Sequence, residues 1–398
     1  MYYVAYIAAK IRRKDMKKFL AIFLAVVFAL SMAACGAPAA EPAAEPAAPA
    51  EPSTPAAEPA APAEPAAAEG TYEIALVTDV GNIDDKSFNQ GAWEGVVAYA
   101  EANGKTYSYY RPSEDSDEAR IESIKTAIDK GAKAVVMPGY LFGAAVQAVQ
   151  AEYPDVMLLG LDLGLGDVPE PTANTSLITY QEEQAGYFAG YAAVKEGYTK
   201  LGFLGGMAVP AVVRYGYGFV QGANDAAKEM GNVKDIQIKY WYCDSFAPSD
   251  DIKTKMSGWY TEGTEVVFAC GGGIYLSAVG AAEEAKAKVI GVDVDQSAES
   301  ELIITSAMKE LKQSVVVALT ALFDNGGTWP AEYAGTELKL GAAQDCVGLP
   351  TAEGSWRLAN YTVDQYNELF TKVKDGSVAI SSDIANPPTA DIAVDYQN

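Results

Sequence analysis

The 398-residue sequence carries 29 basic and 53 acidic residues, a net charge of −24, and no histidine. Charge of that sign argues against nucleic acid or an anionic membrane surface as a partner. The missing imidazole excludes His-based general base catalysis, catalytic triads and His-ligated zinc or iron. Length alone allows two or three domains, at roughly 100–200 residues each.

Residues 1–34 have the layout of a secretory signal peptide. Met16-Lys17-Lys18 precedes an apolar run from Phe19 to Leu30, and small residues Ser31 to Ala34 lead to Cys35. The run is shorter than the ~20 residues a membrane-spanning helix needs. Met16 reads as the start, with Met1 the alternative and residues 1–15 then an extended n-region. A cysteine after small residues resembles a bacterial lipoprotein signal, which implies that Cys35 becomes the lipidated (palmitate-bearing) first residue of the mature chain; Met32 stands where Leu is usual. Residues 35–70 continue almost entirely in Ala, Pro and Glu. Such a segment has nothing to bury and reads as an extended, self-repelling spacer, suited to holding a folded body away from a membrane surface.

From Thr71 onward, short β-branched runs alternate with amphipathic helical stretches. Strands are predicted at 74–79, 107–110, 134–138, 156–162, 200–205, 236–242, 265–270, 288–293 and 302–306. Helices are predicted at 87–102, 117–130, 142–152, 181–197, 214–230, 250–261, 275–286 and 309–323. This βαβα series is an α/β pattern that calls for parallel sheets covered on both faces. The alternation pauses over Gly164 to Tyr180 and restarts at Lys200, which reads as a crossover between two similar lobes. A single (β/α)8 barrel is the structural rival.

Several strands end in a carboxylate or a glycine break: Asp79, Pro138-Gly139-Tyr140, Asp162, Gly205-Gly206-Met207, Asp244-Ser245-Phe246, Gly271-Gly272-Gly273 and Asp293-Val294-Asp295. The carboxyl ends of parallel strands form one crevice, so these residues are expected to line it. Asp79 is either an acceptor in that crevice or a strand-end Asp tied to nearby amides. Phe88 offers a ring face to a flat ligand or belongs to the core, and Phe88 with Phe246 can sandwich a base. Gly271 and Gly273 either admit a ligand close to the backbone or make a plain tight turn. Lys309, at a helix start, is either solvated or a donor to ligand hydroxyls. Neither a P-loop nor a G-x-G-x-x-G fingerprint is present. Cys243, Cys270 and Cys346 allow at most one disulfide.

Three stretches carry a resemblance to a known family. The first is Val77-Thr78-Asp79-Val80-Gly81 with Asp84-Asp85-Lys86-Ser87-Phe88-Asn89. The second is Gly205-Gly206-Met207-Ala208-Val209-Pro210 with Arg214-Tyr215-Gly216-Tyr217-Gly218-Phe219 and Gly222. The third is Gly291-Val292-Asp293 followed by Thr305-Ser306-Ala307-Met308-Lys309. From Thr71 to about Ser377 the chain resembles the basic membrane protein group of substrate-binding lipoproteins, whose best understood members are purine nucleoside receptors of ABC importers.

The resemblance implies a type I periplasmic-binding-protein fold, two Rossmann-like lobes joined by three crossings, the second of them near Asp295 and Gln296. The lobes are assigned as 71–178 plus 297–325 and 179–296 plus 326–398. It further implies polar ligand contacts from Asp79, Asp162, Asp293 and Lys309, a stacking ring from Phe88, and Asn89 in the same motif. Phe246 is favoured over Phe268 as the second ring. Cys270-Gly271-Gly272-Gly273-Ile274-Tyr275 departs from the usual Ala-Gly-Gly-Thr/Ser-Gly form. The implied protein is not an enzyme: a monomeric, lipid-anchored, extracytoplasmic receptor that needs no cofactor or metal and serves an ABC permease and its ATPase. The alternatives are a nucleoside hydrolase, whose Asp-x-Asp-x-x-x-Asp-Asp spacing is not met here, and a surface sensor or adhesin.

Overall fold

The computed structural model describes residues 71–397; the signal peptide, Cys35 and the 35–70 spacer lie outside the described residues. The apolar runs become strands buried on both faces. β1 (Ile74–Val77), β3 (Ala134–Pro138) and β4 (Met157–Leu161) are buried throughout, as parallel strands between two helical layers must be. With β2 (Tyr107–Tyr110), β5 (Thr175–Tyr180) and β11 (Thr336–Leu340) they form a wholly parallel sheet in the order β11-β5-β4-β3-β1-β2.

The second sheet contains β6 (Lys200–Gly205), β7 (Gln237–Tyr242), β8 (Val266–Cys270), β9 (Lys288–Asp293), β10 (Ile303–Lys309), β12 (Val347–Gly348) and β13 (Ala393–Gln397). Its order is β12-β10-β9-β8-β6-β7-β13, parallel except where β12 runs against β10. The cores of the two sheets therefore repeat one winding: β2-β1-β3-β4-β5 and β7-β6-β8-β9-β10. Each reverses direction once, between β1 and β3 and between β6 and β8, and such switch points are where open α/β sheets bind ligands. Two open sheets rule out the barrel.

Helices α1 (Phe88–Ala102), α2 (Asp117–Asp129), α3 (Gly143–Val149) and α8 (Leu311–Asp324) cover the first sheet. The second is covered by α4 (Glu182–Glu196), α5 (Pro210–Met230), α6 (Asp250–Thr261) and α7 (Tyr275–Ala285), with α9 (Val363–Lys374) packed against α4. Two helix contacts depend on missing side chains. A Cβ at Gly95 of α1 would stand 2.7 Å from Val315 of α8. At Gly186 and Gly190 of α4, a Cβ would stand 2.0 Å from the Tyr215 and Phe219 carbonyls of α5, and Gly218 and Gly222 of α5 return the same contact to Glu183 and Tyr187. With all four positions bare, the backbones of α4 and α5 touch, fixing the start of α4 against α5.

Several expectations need correction. Residues 175–180, inside the predicted pause, are the strand β5; Thr175 and Ser176 disguise it, although both are fully buried. The strand pairing divides the C-terminal part differently from the expected lobes. Within 297–325, β10 belongs to the second sheet and only α8 packs on the first lobe, whereas β11, expected in the second lobe, pairs with β5 of the first. The second crossing accordingly falls at Lys309–Leu311, not at Asp295 and Gln296. Gln296 does link the lobes, by donating its side-chain amide to the Lys86 carbonyl at 2.8 Å. The first and third crossings run from Tyr180 to Glu182 and from Leu340 to Val347, and backbone bonds draw all three together: Gln181 donates to Leu340 and Glu310 to Cys346, each at 2.9 Å.

Candidate functional site

The strand ends of the two sheets face each other across a cleft of about 1100 Å³, somewhat above the roughly 300–1,000 Å³ usual for a small-molecule site. On the first lobe, the turn after β1 is built around Asn89. Its Nδ2 donates to Asp79 Oδ1 at 2.9 Å and to Asp85 Oδ2 at 3.0 Å. Both of its donor hydrogens are thus used inside the protein, and Asn89 orients two carboxylates. Asp79 Oδ1 also accepts from the Gly81 amide at 2.7 Å, while Oδ2 lies over Gly139, where a Cβ would come within 3.1 Å. Asp79 is thus both tied to local amides and part of the cleft wall. Asp85 accepts from the amides of Ser87, Asn89 and Gln90 at 2.9 to 3.1 Å, satisfying donors that the start of α1 leaves open. Burial raises both carboxyls against these bonds, Asp85 to about 6.

A second cluster gathers residues from both lobes. Lys309, predicted to open a helix, is the last residue of β10 and is buried. Its Nζ stands 2.5 Å from Asp162 Oδ2, 3.3 Å from Glu182 Oε1 and 3.8 Å from Asp293 Oδ1. The rings of Phe88, Tyr180 and Tyr215 surround the same ammonium, with centroids 4.8, 5.3 and 5.4 Å away. Behind it, Arg214 Nε donates to Glu182 Oε2 at 2.5 Å. Burial works to neutralise Lys309, but the surrounding carboxylates outweigh it and raise its pKa. Asp162 is pushed up to about 7 by burial against the pull of Lys309. Glu182 goes the other way: burial opposes its charge, yet Arg214 and Lys309 together lower it. Asp162 and Asp293 both hold left-handed backbone, at φ 53° and 65°, a conformation that non-glycine residues adopt mostly where the surroundings enforce it.

This cluster also joins the lobes. Asp162 follows β4 of the first sheet and Lys309 ends β10 of the second. Asp293, at the end of β9, accepts from the Ser87 hydroxyl of the first lobe at 2.6 Å. Asp162 lines the cleft, and its buried Oδ1 has no hydrogen-bond partner among the described residues, although buried polar atoms are usually paired.

The aromatic expectations separate cleanly. Phe88 and Phe246 line the cleft, one from each lobe. Phe268 is fully buried and packs among Phe203, Tyr215 and Phe219. The glycines serve Phe246 directly: a Cβ at Gly271 would meet its ring at 2.8 Å and one at Gly206 at 2.4 Å. Gly271 and Gly272 have φ of 142° and 51°, and the Gly273 amide donates to the Phe246 carbonyl at 2.8 Å. The run seats the ring while still forming part of the cleft wall. Cys243, Cys270 and Cys346 are free thiols.

Glu182 and the role of Arg214 were not legible in the sequence. A Glu182-Glu183 pair at a helix start reads as solvated first-turn acid, and Arg214 gave no sign of facing inward. The available signal was the glycine spacing of α4 and α5, which brings those two helix starts together.

Residues 73–381 match the family of PnrA-like ABC transporter substrate-binding proteins. The nucleoside-binding protein BmpA of an ABC transporter from Lactococcus lactis is 30% identical over 60% of this chain and 71% of its own. Basic membrane protein A1 from Borrelia garinii is 31% identical over 61% of this chain and 70% of its own. Among solved structures, an ABC transporter solute-binding protein from Aeropyrum pernix aligns with a TM-score of 0.66 at 20% identity, covering 78% of this chain and 94% of that one; that likeness shows the two-lobe fold. The chain belongs to the PnrA-like family of ABC transporter substrate-binding proteins and is a solute-binding protein, not an enzyme.

Proposed function

We propose that this protein is the extracytoplasmic receptor of an ABC importer, that it closes its two lobes on a purine nucleoside, and that it delivers the nucleoside to the permease. The observation that carries the ligand class is the pairing, within one cleft, of a free buried acceptor at Asp162 with a ring from each lobe at Phe88 and Phe246. Carboxylates at Asp162 and Asp293 accept from sugar hydroxyls, Lys309 donates to them, and the rings flank a planar base at about 1–3 kcal/mol per stacked face. Asp79 supplies an acceptor at the first-lobe wall. The same carboxylates repel phosphate, which disfavours nucleotides. A relative named for nucleoside binding supports this reading. The nucleoside hydrolase alternative falls with the family.

Calorimetric titration with adenosine, guanosine, inosine, cytidine, ribose and AMP tests it. Purine nucleosides bind and AMP binds poorly; ribose binding as tightly as a nucleoside would exclude the base sandwich. Asp293→Ala weakens the nucleoside by roughly ten- to a hundredfold, since it removes a charged acceptor worth about 1.5–3 kcal/mol. Deleting the gene abolishes nucleoside uptake, and unchanged uptake would favour a surface sensor. The anchor proposal rests on Cys35 and the spacer after it. Cys35→Ser moves the protein from the membrane to the soluble fraction, and full retention on the membrane would refute the anchor.

A further inference from the structure

Glu182 contacts no ligand in the reading above and does not line the cleft, yet it is the fully buried first residue of α4, directly after the first crossing. Glutamate in a first helical turn is ordinarily a solvated partner of the helix dipole. Here its oxygens are divided between two cations, Oε2 at 2.5 Å from Arg214 Nε and Oε1 at 3.3 Å from Lys309 Nζ. Lys309 ends β10, directly before the second crossing. The Glu182 to Lys309 contact therefore ties two of the three crossings together at the base of the cleft.

The chain of alternating charge runs on from Lys309 to Asp162 of the first lobe at 2.5 Å. Its mount is rigid, because Gly186 and Gly218 press α4 and α5 into backbone contact beside Glu182 and Arg214. A lysine ammonium is a point charge on a flexible four-carbon stem and does not fix its own position. Asp162 belongs to the opposite lobe and moves with it. Glu182 is the carboxylate on the crossing itself.

We propose that Glu182, held by Arg214, is the positioning residue for Lys309: it sets where the ammonium stands between the lobes, and through it the geometry offered to ligand hydroxyls. The ligand-side readout rests on the nucleoside reading; the ion chain does not. Arg214 acts one step further back. Without it, Glu182 is a buried carboxylate facing one cation, with Glu183 4.0 Å from the vacated guanidinium.

A double-mutant cycle in the full chain, with inosine as probe, separates positioning from general structure. Glu182→Gln weakens inosine by roughly ten- to a hundredfold in the natural sequence, the worth of one buried charged contact. In a Lys309→Met background the same change alters affinity by less than about twofold, because the residue it acts through is gone. Equal losses in both backgrounds overturn the proposal. A ligand-free measurement stands beside it. In protein labelled with 15N at lysine Nζ, the Lys309 ammonium gives a slowly exchanging signal, identified by its loss in Lys309→Met. That signal broadens or disappears in Glu182→Gln and in Arg214→Gln, while the backbone amides of β10 keep their protection. An unchanged ammonium signal in both variants overturns the proposal whether or not inosine binds. Failure of the natural protein to bind inosine refutes the nucleoside reading alone.

Discussion

The two carboxylate clusters of the cleft are built on opposite principles. Asp79 and Asp85 are satisfied by neutral donors, all within the turn after β1 and the first residues of α1. Asp162, Glu182 and Asp293 instead surround the Lys309 ammonium at 2.5 to 3.8 Å, with Arg214 on Glu182 and the Ser87 hydroxyl on Asp293, so that the cluster spans both lobes. The amide-capped cluster lies within one lobe. The ionic cluster spans both, because Asp162 and Ser87 on one lobe pair with Lys309 and Asp293 on the other. In a hinge closure of the kind proposed above, the first cluster would move as one piece and the second would be the one broken and rehydrated on opening.

The largest expected effect tests that contrast. Lys309→Met removes the cation shared by three buried carboxylates, and a buried charge stripped of its partner costs about 3–5 kcal/mol. Denaturant unfolding of the ligand-free chain should show a loss in that range. Asn89→Ala removes one neutral donor from each of Asp79 and Asp85, and both keep backbone amides. Its cost is expected at about 1–3 kcal/mol. Should Asn89→Ala prove the more damaging of the two, the ionic cluster is not the one that bears on stability and the comparison fails.

The same contrast explains what was legible in the sequence. A cluster made of near neighbours leaves a local trace, so Asp79, Asp85, Phe88 and Asn89 were visible together as one stretch after one strand. Asp162 and Asp293 were found individually as strand ends, because βα alternation marks the carboxyl edge of each strand, and Lys309 as the start of a helix. Their meeting around one ammonium was not visible, since it depends on the three crossings and on two lobes in contact. Glu182 escaped because its burial is set by α5 packing on α4, and no local pattern distinguishes a first-turn glutamate facing inward from one facing water. β5 escaped because Thr175 and Ser176 are buried polar residues. Asn174, just before them, is held by the carbonyls of Gln150, Tyr153 and Val156, and Thr175 by the Gln150 side chain, so this strand opens on buried polar residues where period-two reasoning looks for apolar ones. Fold class survives such gaps because it needs only the number and order of alternations.

The smallest expected effect is the response of stability to pH, and it divides between the clusters. Burial pushes Asp85 up to about 6, and Asp162 and Glu183 up to about 7. Each folded-state value lies above the unfolded one of about 4. The folded state therefore binds more protons than the unfolded state between about pH 4 and 7, and stability falls as pH rises through that window. Carboxyls whose values are lowered, such as Glu73 and Glu229, have the opposite effect, but they titrate below it. The melting temperature of the ligand-free protein should accordingly rise by a few degrees from pH 8 to pH 5. Two of the three groups belong to the ionic side of the cleft, so Asp162→Asn should flatten the profile more above pH 6, whereas Asp85→Asn should flatten it only below. A melting temperature that falls steadily from pH 8 to pH 5 would mean that these buried carboxyls keep their charge at ordinary values, and that the cations and amides around both clusters outweigh burial.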